Sequence, residues 1–234
     1  MHWLAGLLGN RPHLSPLQQK SLAAWRKLPR TLLSTPFGST RCVVADVETS
    51  GLRLSKDRLI SIGAVAVING QIALGDSFAV VLQQATASHK KNILLHGIGS
   101  TAQTEGVPAA EALLAFLDFL RKDPLVGFHV TFDRTMIRRA LREYLGCPFK
   151  HPWIDMAFVM PSLFPALAAR YRSLDDWITH FNISNDARHD ALSDALVTAQ
   201  LFQVAVTQAR KMKIDNFSGM RDLEKARHWV NRVS

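Results

Sequence analysis

Several things are scarce in this chain, and each scarcity removes a class of protein. Cysteine is almost missing: among 234 residues only Cys42 and Cys147 occur, far apart. Two distant thiols make neither a disulfide framework nor a zinc-ligand cluster, so a reducing compartment is expected. Cys42, inside an apolar run, reads as a small buried hydrophobe. No stretch approaches the roughly 18 to 20 consecutive apolar residues of a membrane span. The opening MHWLAGLLGN has a short apolar run, with no Lys or Arg before it and no small-residue cleavage site, which argues against a signal peptide. A cytoplasmic protein is the expectation. There are no internal repeats and no low-complexity tract.

Acids are missing from the first 45 residues, which hold six lysines and arginines. The last 30 residues carry seven against three acids, whereas the stretch between is near neutral. Basic ends around an acid-bearing centre, at a net charge of +9, suit a polyanion such as nucleic acid. Solvated, solubilising faces are the plainer reading of the same charges. What is plentiful is apolar residues, 47% of the chain, so a sizeable core is available. The length fits one ordinary domain with some extra chain.

HLSPLQQKSLAAWRKLPR reads as a helix, with Ser15 as cap, Pro16 in the first turn and a stop before Pro29. STPFGST, residues 34–40, is a connector. Strands are expected at 41–46, 58–68 and 71–82, the last two joined by Asn69-Gly70, a hairpin signal because both residues accept positive φ. A three-stranded antiparallel meander follows. Helical spacing covers 108–122, a short buried strand 124–128 and a helix 133–146 ending at Gly146. WIDMAFVMPSLF reads as a short strand and helix, and 173–181 and 190–209 as two further helices. The order predicts an α/β fold with a mixed sheet flanked by helices.

Asp46 and Glu48, at i and i+2, project from one side of a strand end. Two adjacent carboxylates repel each other unless a cation lies between them, and a hard divalent ion takes such oxygens. Alone, however, an Asp-x-Glu triplet is weak. Asp133 follows an apolar strand and opens a helix, so its plain role is an N-cap. Asp194 lies in the first turns of the helix from 190. His189, five residues earlier, shares a site with it only from the loop before that helix, with Asp190 as cap. A lone His there is ordinary surface; beside an acid cluster it is a proton acceptor near neutral pH. Asp155, at another strand end, reads as a helix cap. The five tryptophans form no basic–aromatic stripe and read as core or docking residues.

In order, VVADVETSGL, DRLISIGAVAVINGQI, HGI, LVGFHVTFD, SLDDWITHF and RHDALSDALVTAQLF resemble the DEDDh (DnaQ-like) 3′–5′ exonucleases, the group of the proofreading epsilon subunit of bacterial DNA polymerase III. The likeness covers about residues 41–205. It implies an RNase H-like fold and two divalent metal ions, Mg²⁺ or Mn²⁺. Asp46, Glu48, Asp133 and Asp194 match the metal-binding acids, and His189 matches the histidine that acts as general base. Thr49, Gly51 and Leu52 match the segment bordering the terminal nucleotide; His129 and Phe132 fall in the second motif, where packing is an equal reading and, for Phe132, the better one. Where the family has Asn after that motif's His, this chain has Val130, so one polar contact to substrate is lost.

The activity implied is hydrolysis at single-stranded 3′ ends, DNA favoured and RNA left open, releasing nucleoside 5′-monophosphates. A polymerase partner is not evident from the residues. A catalytically silent binding module of the same fold is the alternative, and an RNase H-like endonuclease or integrase a third; all five site residues are present, against silence. The expected division is a basic helical extension at 1–39, the exonuclease domain at 40–208 and a second basic helical extension at 209–234.

Overall fold

The computed structural model describes residues 12–185 and 189–233. Trp3 and the apolar MHWLAGLLGN run lie outside them. Helix α1, Pro16–Lys27, is capped by Ser15 and Gln18 in a reciprocal box, with Pro16 at its start. Strands β1 (Arg41–Thr49), β2 (Leu59–Ile68) and β3 (Gln71–Val81) form the antiparallel meander. Asn69 and Gly70 turn the hairpin at φ 54° and 80°. β1 continues three residues past the expected end, because β2 goes on pairing with it through a bulge at Glu48/Thr49. The acids therefore sit inside the strand.

Helices α2 (Lys90–His96), α3 (Ser100–Thr104) and α4 (Ala109–Leu120) lead to β4 (Leu125–Gly127). Then come α5 (Thr131–Leu145), β5 (Trp153–Asp155), α6 (Met156–Leu163), α7 (Leu174–His180), α8 (Ala191–Lys211) and α9 (Phe217–Val233). The sheet runs β3-β2-β1-β4-β5, with β4 and β5 parallel to β1. This is the mixed α/β architecture of the RNase H-like fold.

Alternation in β1 sorts its side chains between two cores. Val43, Ala45 and Val47 join the core built with α1, α4 and α5. Cys42 and Val44 join the one built with α6, α8 and α9. By the same two-residue period, Asp46 and Glu48 face the α8 side. β2 is buried along nearly its whole length, as a strand covered on both faces must be. Trp25, Trp153 and Trp177 are buried in the core, whereas Trp229 stands 67% exposed and is not a core residue.

Candidate active site

The site forms where β1 ends and α8 begins. Ligand oxygens of Asp46, Glu48 and Asp194 all lie within 4.8 Å of one another. What lets α8 come so close is Gly63 in β2, the residue paired with Asp46. A Cβ on Gly63 would lie 2.1 Å from the Ala191 carbonyl carbon and the Leu192 nitrogen. Only a residue without a side chain lets the first turn of α8 rest on the sheet. The signal was legible: a glycine inside an apolar strand marks close backbone approach.

Asp190 caps α8 through Ser193 N–H, which leaves His189 in the loop at φ 64°. The His189 N–H donates to Asp194 Oδ2 at 3.2 Å, and the Asn185 side-chain amide donates to Oδ1 at 2.8 Å. Both oxygens of Asp194 are thus oriented by the preceding loop. Asn185 had no sequence signal of its own.

Asp133 enters from the other face of the sheet. It is the third residue of α5, whose cap position is Val130, so it is not the helix cap. Its carboxyl group is buried. Burial pushes its pKa up to about 7, the N–H groups of Asp133 itself and of Val47 pull it down, and Asp155 raises it. Val47 lies between Asp46 and Glu48, so that contact brings the fourth acid to the same strand end.

Asp155 does cap α6, accepting from Ala157 N–H at 3.0 Å. It also accepts from the N–H groups of His129 and Val130 at 2.8 and 3.1 Å. One buried carboxylate thereby holds the β4–α5 turn, including His129 at φ 58°, just ahead of Asp133. Burial raises its own pKa, against the hydrogen bonds from Ala157 and His129.

Beyond Glu48 the chain folds back around Asp57, which accepts from Arg53 N–H at 2.6 Å and the Ser50 hydroxyl at 3.2 Å. Thr49 donates its hydroxyl to the Gly51 carbonyl at 2.8 Å. Arg139 on α5 donates to the carbonyls of Leu54 and Asp57, and the Asn92 amide on α2 to that of Ser50. Leu52 stands 84% exposed on this braced loop. His129 is exposed beside the site, and Phe132 packs partly buried against the core.

A family model described as Exonuclease, RNase T, matches residues 43–202, from β1 through the acid-bearing part of α8. The chain belongs to this exonuclease family. It is a nuclease, and hence a hydrolase. Over 188 residues it is 31% identical to a PolC-type DNA polymerase III of Thermotoga maritima, covering 80% of this chain and 13% of that protein. The DNA polymerase III epsilon subunit of Aquifex aeolicus is 28% identical over 187 residues, 79% of this chain and 90% of that protein. The chain spans a small part of the PolC-type relatives and nearly the whole of the Aquifex subunit. Among solved structures, E. coli Exonuclease I in complex with a dT13 oligonucleotide shares the fold at a TM-score of 0.65 and 17% identity, over 74% of this chain and 42% of that one.

The exonuclease's donor set consists of carboxylate oxygens, the chemistry that hard divalent ions take, and the three-acid cluster has the spacing to share one. Family and cluster together make this a divalent-metal-dependent nuclease. Among the described residues no helix is long and apolar enough to cross a membrane.

Proposed function

We propose that this protein is a 3′–5′ exonuclease that shortens single-stranded nucleic acid, with DNA the favoured polymer, and releases nucleoside 5′-monophosphates. The observation that carries the reading is the convergence of Asp46, Glu48 and Asp194 within 4.8 Å, with Asp133 tied to Val47 between the first two. The names of its relatives, polymerase subunits and an Exonuclease I bound to an oligonucleotide, support a DNA strand as substrate.

Asp46, Glu48, Asp133 and Asp194 would hold two Mg²⁺ or Mn²⁺ ions, which supply the positive charge that lets a hydroxide meet an anionic phosphodiester and lets the 3′ oxygen leave. Asp46 and Glu48 hold their oxygens on one side of a rigid strand, and the loop amides of Asn185 and His189 fix those of Asp194. His189 accepts the proton of the attacking water at its imidazole. Leu52, presented on the braced loop, packs against the terminal base, and Thr49, Gly51 and His129 border the last nucleotide. With Val130 where relatives carry Asn, one polar side-chain contact to the strand is lost.

The test is digestion of 5′-labelled single-stranded DNA and RNA with Mg²⁺ or Mn²⁺, beside Asp46→Ala and His189→Ala. A ladder shortening from the 3′ end, abolished by chelator and by Asp46→Ala, is expected. Intact 3′ ends with both metals would overturn the 3′–5′ reading. His189→Ala should slow hydrolysis far more than it weakens Mn²⁺ binding; an equal loss of both would remove His189 from the role of base.

A further inference from the structure

At the opposite end of the parallel strands from the acids lies a cavity of about 740 Å³. Four separate parts of the chain supply cations to it: Arg30 after α1, Lys122 ahead of β4, Lys150 ahead of β5, and Arg221 on α9. No acid lines it, and among the described residues none of these four forms an ion pair. The nearby Asp123 carboxylate is already committed, to Arg41 at 2.7 Å and to the Thr31 hydroxyl at 2.7 Å.

Two rings, Trp25 and His151, share the remaining walls with Thr31, Leu33, Pro148 and Pro152. Trp25 has its indole N–H on the Arg121 carbonyl at 2.7 Å, and Lys122 lies over its face. His151 stacks on Phe149 with centroids 5.0 Å apart and contacts the Asp123 carbonyl through Nε2. Burial, with Lys122 and Arg30 adding to it, lowers the His151 pKa to about 4, so its ring is neutral at pH 7 and adds no charge. Burial lowers the Lys122 pKa as well, and Arg30 and Arg26 push in the same direction. Like charges held together at this cost to one another are what an anion would relieve.

We propose that this cavity binds phosphate groups. The volume suits a nucleotide-sized ligand, since ligand pockets run from roughly 300 to 1,000 Å³. Four cations lining one cavity match the charge of a phosphate group by ion pairing. The phosphate comes either from a free nucleotide or from the upstream backbone of a strand whose 3′ end is at the acids; the second source rests on the nuclease reading. From Arg41 to Asp46 along β1 is about 17 Å at roughly 3.4 Å per residue, so one nucleotide cannot occupy both sites.

The experiment is binding in chelator, where no hydrolysis occurs and failure of the nuclease reading cannot be mistaken for failure of this one. The full chain is compared with Arg30→Glu/Lys150→Glu, both exposed positions, and with Lys211→Glu/Lys213→Glu, an equal charge change outside the cavity. Probes are thymidine 5′-monophosphate, inorganic phosphate, a trinucleotide and a twenty-residue oligothymidylate. If the strand is the source, the long oligonucleotide binds the cavity variant about tenfold more weakly than wild type. Its salt slope becomes shallower by about 1.4 for two lost phosphate contacts, while the trinucleotide is unaffected. If a free nucleotide is the source, the monophosphate or inorganic phosphate binds wild type at one site and not the cavity variant. All probes binding the cavity variant as they bind wild type, or an equal loss in the control variant, would overturn the proposal.

Discussion

The two ends of the same parallel strands carry opposite chemistry. At the carboxyl end of β1, Asp46 and Glu48 meet Asp194, with Asp133 tied to the Val47 between them. At the amino end, Arg41 binds Asp76 at 2.8 Å and Asp123 at 2.7 Å, and four further cations line the cavity beside them. An aspartate does different work at each pole. Asp123 stabilises, because it answers a partly buried guanidinium. The carboxylates of the other pole lie within 4.8 Å of one another, and their oxygens suit a divalent cation.

Equivalent substitutions at the two poles should therefore separate chemistry from stability. Asp46→Ala is expected to cost about a thousandfold or more in hydrolysis, because metal-borne charge stabilisation is worth several kcal/mol and each 1.36 kcal/mol is tenfold. The rise in melting temperature that Mn²⁺ produces in wild type should shrink with it; a variant still stabilised fully by Mn²⁺ would dissociate Asp46 from the metal site. Asp123→Ala should do the reverse, lowering stability by about 3 kcal/mol because Arg41 loses a buried partner. Its turnover of a trinucleotide should stay near wild type, measured well below the melting point.

Gly63→Ala couples the two properties. The new methyl has backbone in its way, not a flexible side chain, so α8 must lift from β2. A loss of about 1–3 kcal/mol is expected from overpacking, together with weaker Mn²⁺ binding as Asp194 moves away from Asp46. Wild-type Mn²⁺ affinity in this variant would show that the close approach of α8 is not what assembles the cluster.

A further effect concerns pH. Asp133 ionises near 3.8 when unfolded and at about 7 when folded, chiefly through burial. Folding then binds a proton more tightly, so this group's contribution to stability is complete below about pH 4 and declines as pH rises to 7. In chelator, Asp133→Asn should gain in melting temperature relative to wild type across that interval and hold the gain above it. A gap that stays constant from pH 4 to 8 would mean that the carboxyl is not held in its neutral form.

Much of this was legible because it is local. Asn69-Gly70 turns the hairpin since both residues tolerate positive φ, Ser15 and Pro16 start α1, and Asp190 starts α8. The i, i+2 spacing of Asp46 and Glu48 places them on one face of a strand wherever that strand sits. Where local reading failed, a distant element intervened. β1 runs past residue 46 because β2 pairs with it there, and the helix from Thr131 starts earlier than residue 133 because Asp155, on β5, fastens the turn before it. Asn185 looks like any loop residue until Asp194 is seen beside it.

By itself, then, the sequence determined the chemical types, the caps and turns, and the facing of each acid on its own element, all of which depend on neighbours within a few residues. Only the tertiary structure decided which acids meet and where the cations gather. Strand order carries β1 between β2 and β4, Gly63 lets α8 lie against the sheet, and α1, β4, β5 and α9 bring their positive charges to one cavity. Those placements follow from packing between segments far apart in the chain, which no local spacing encodes.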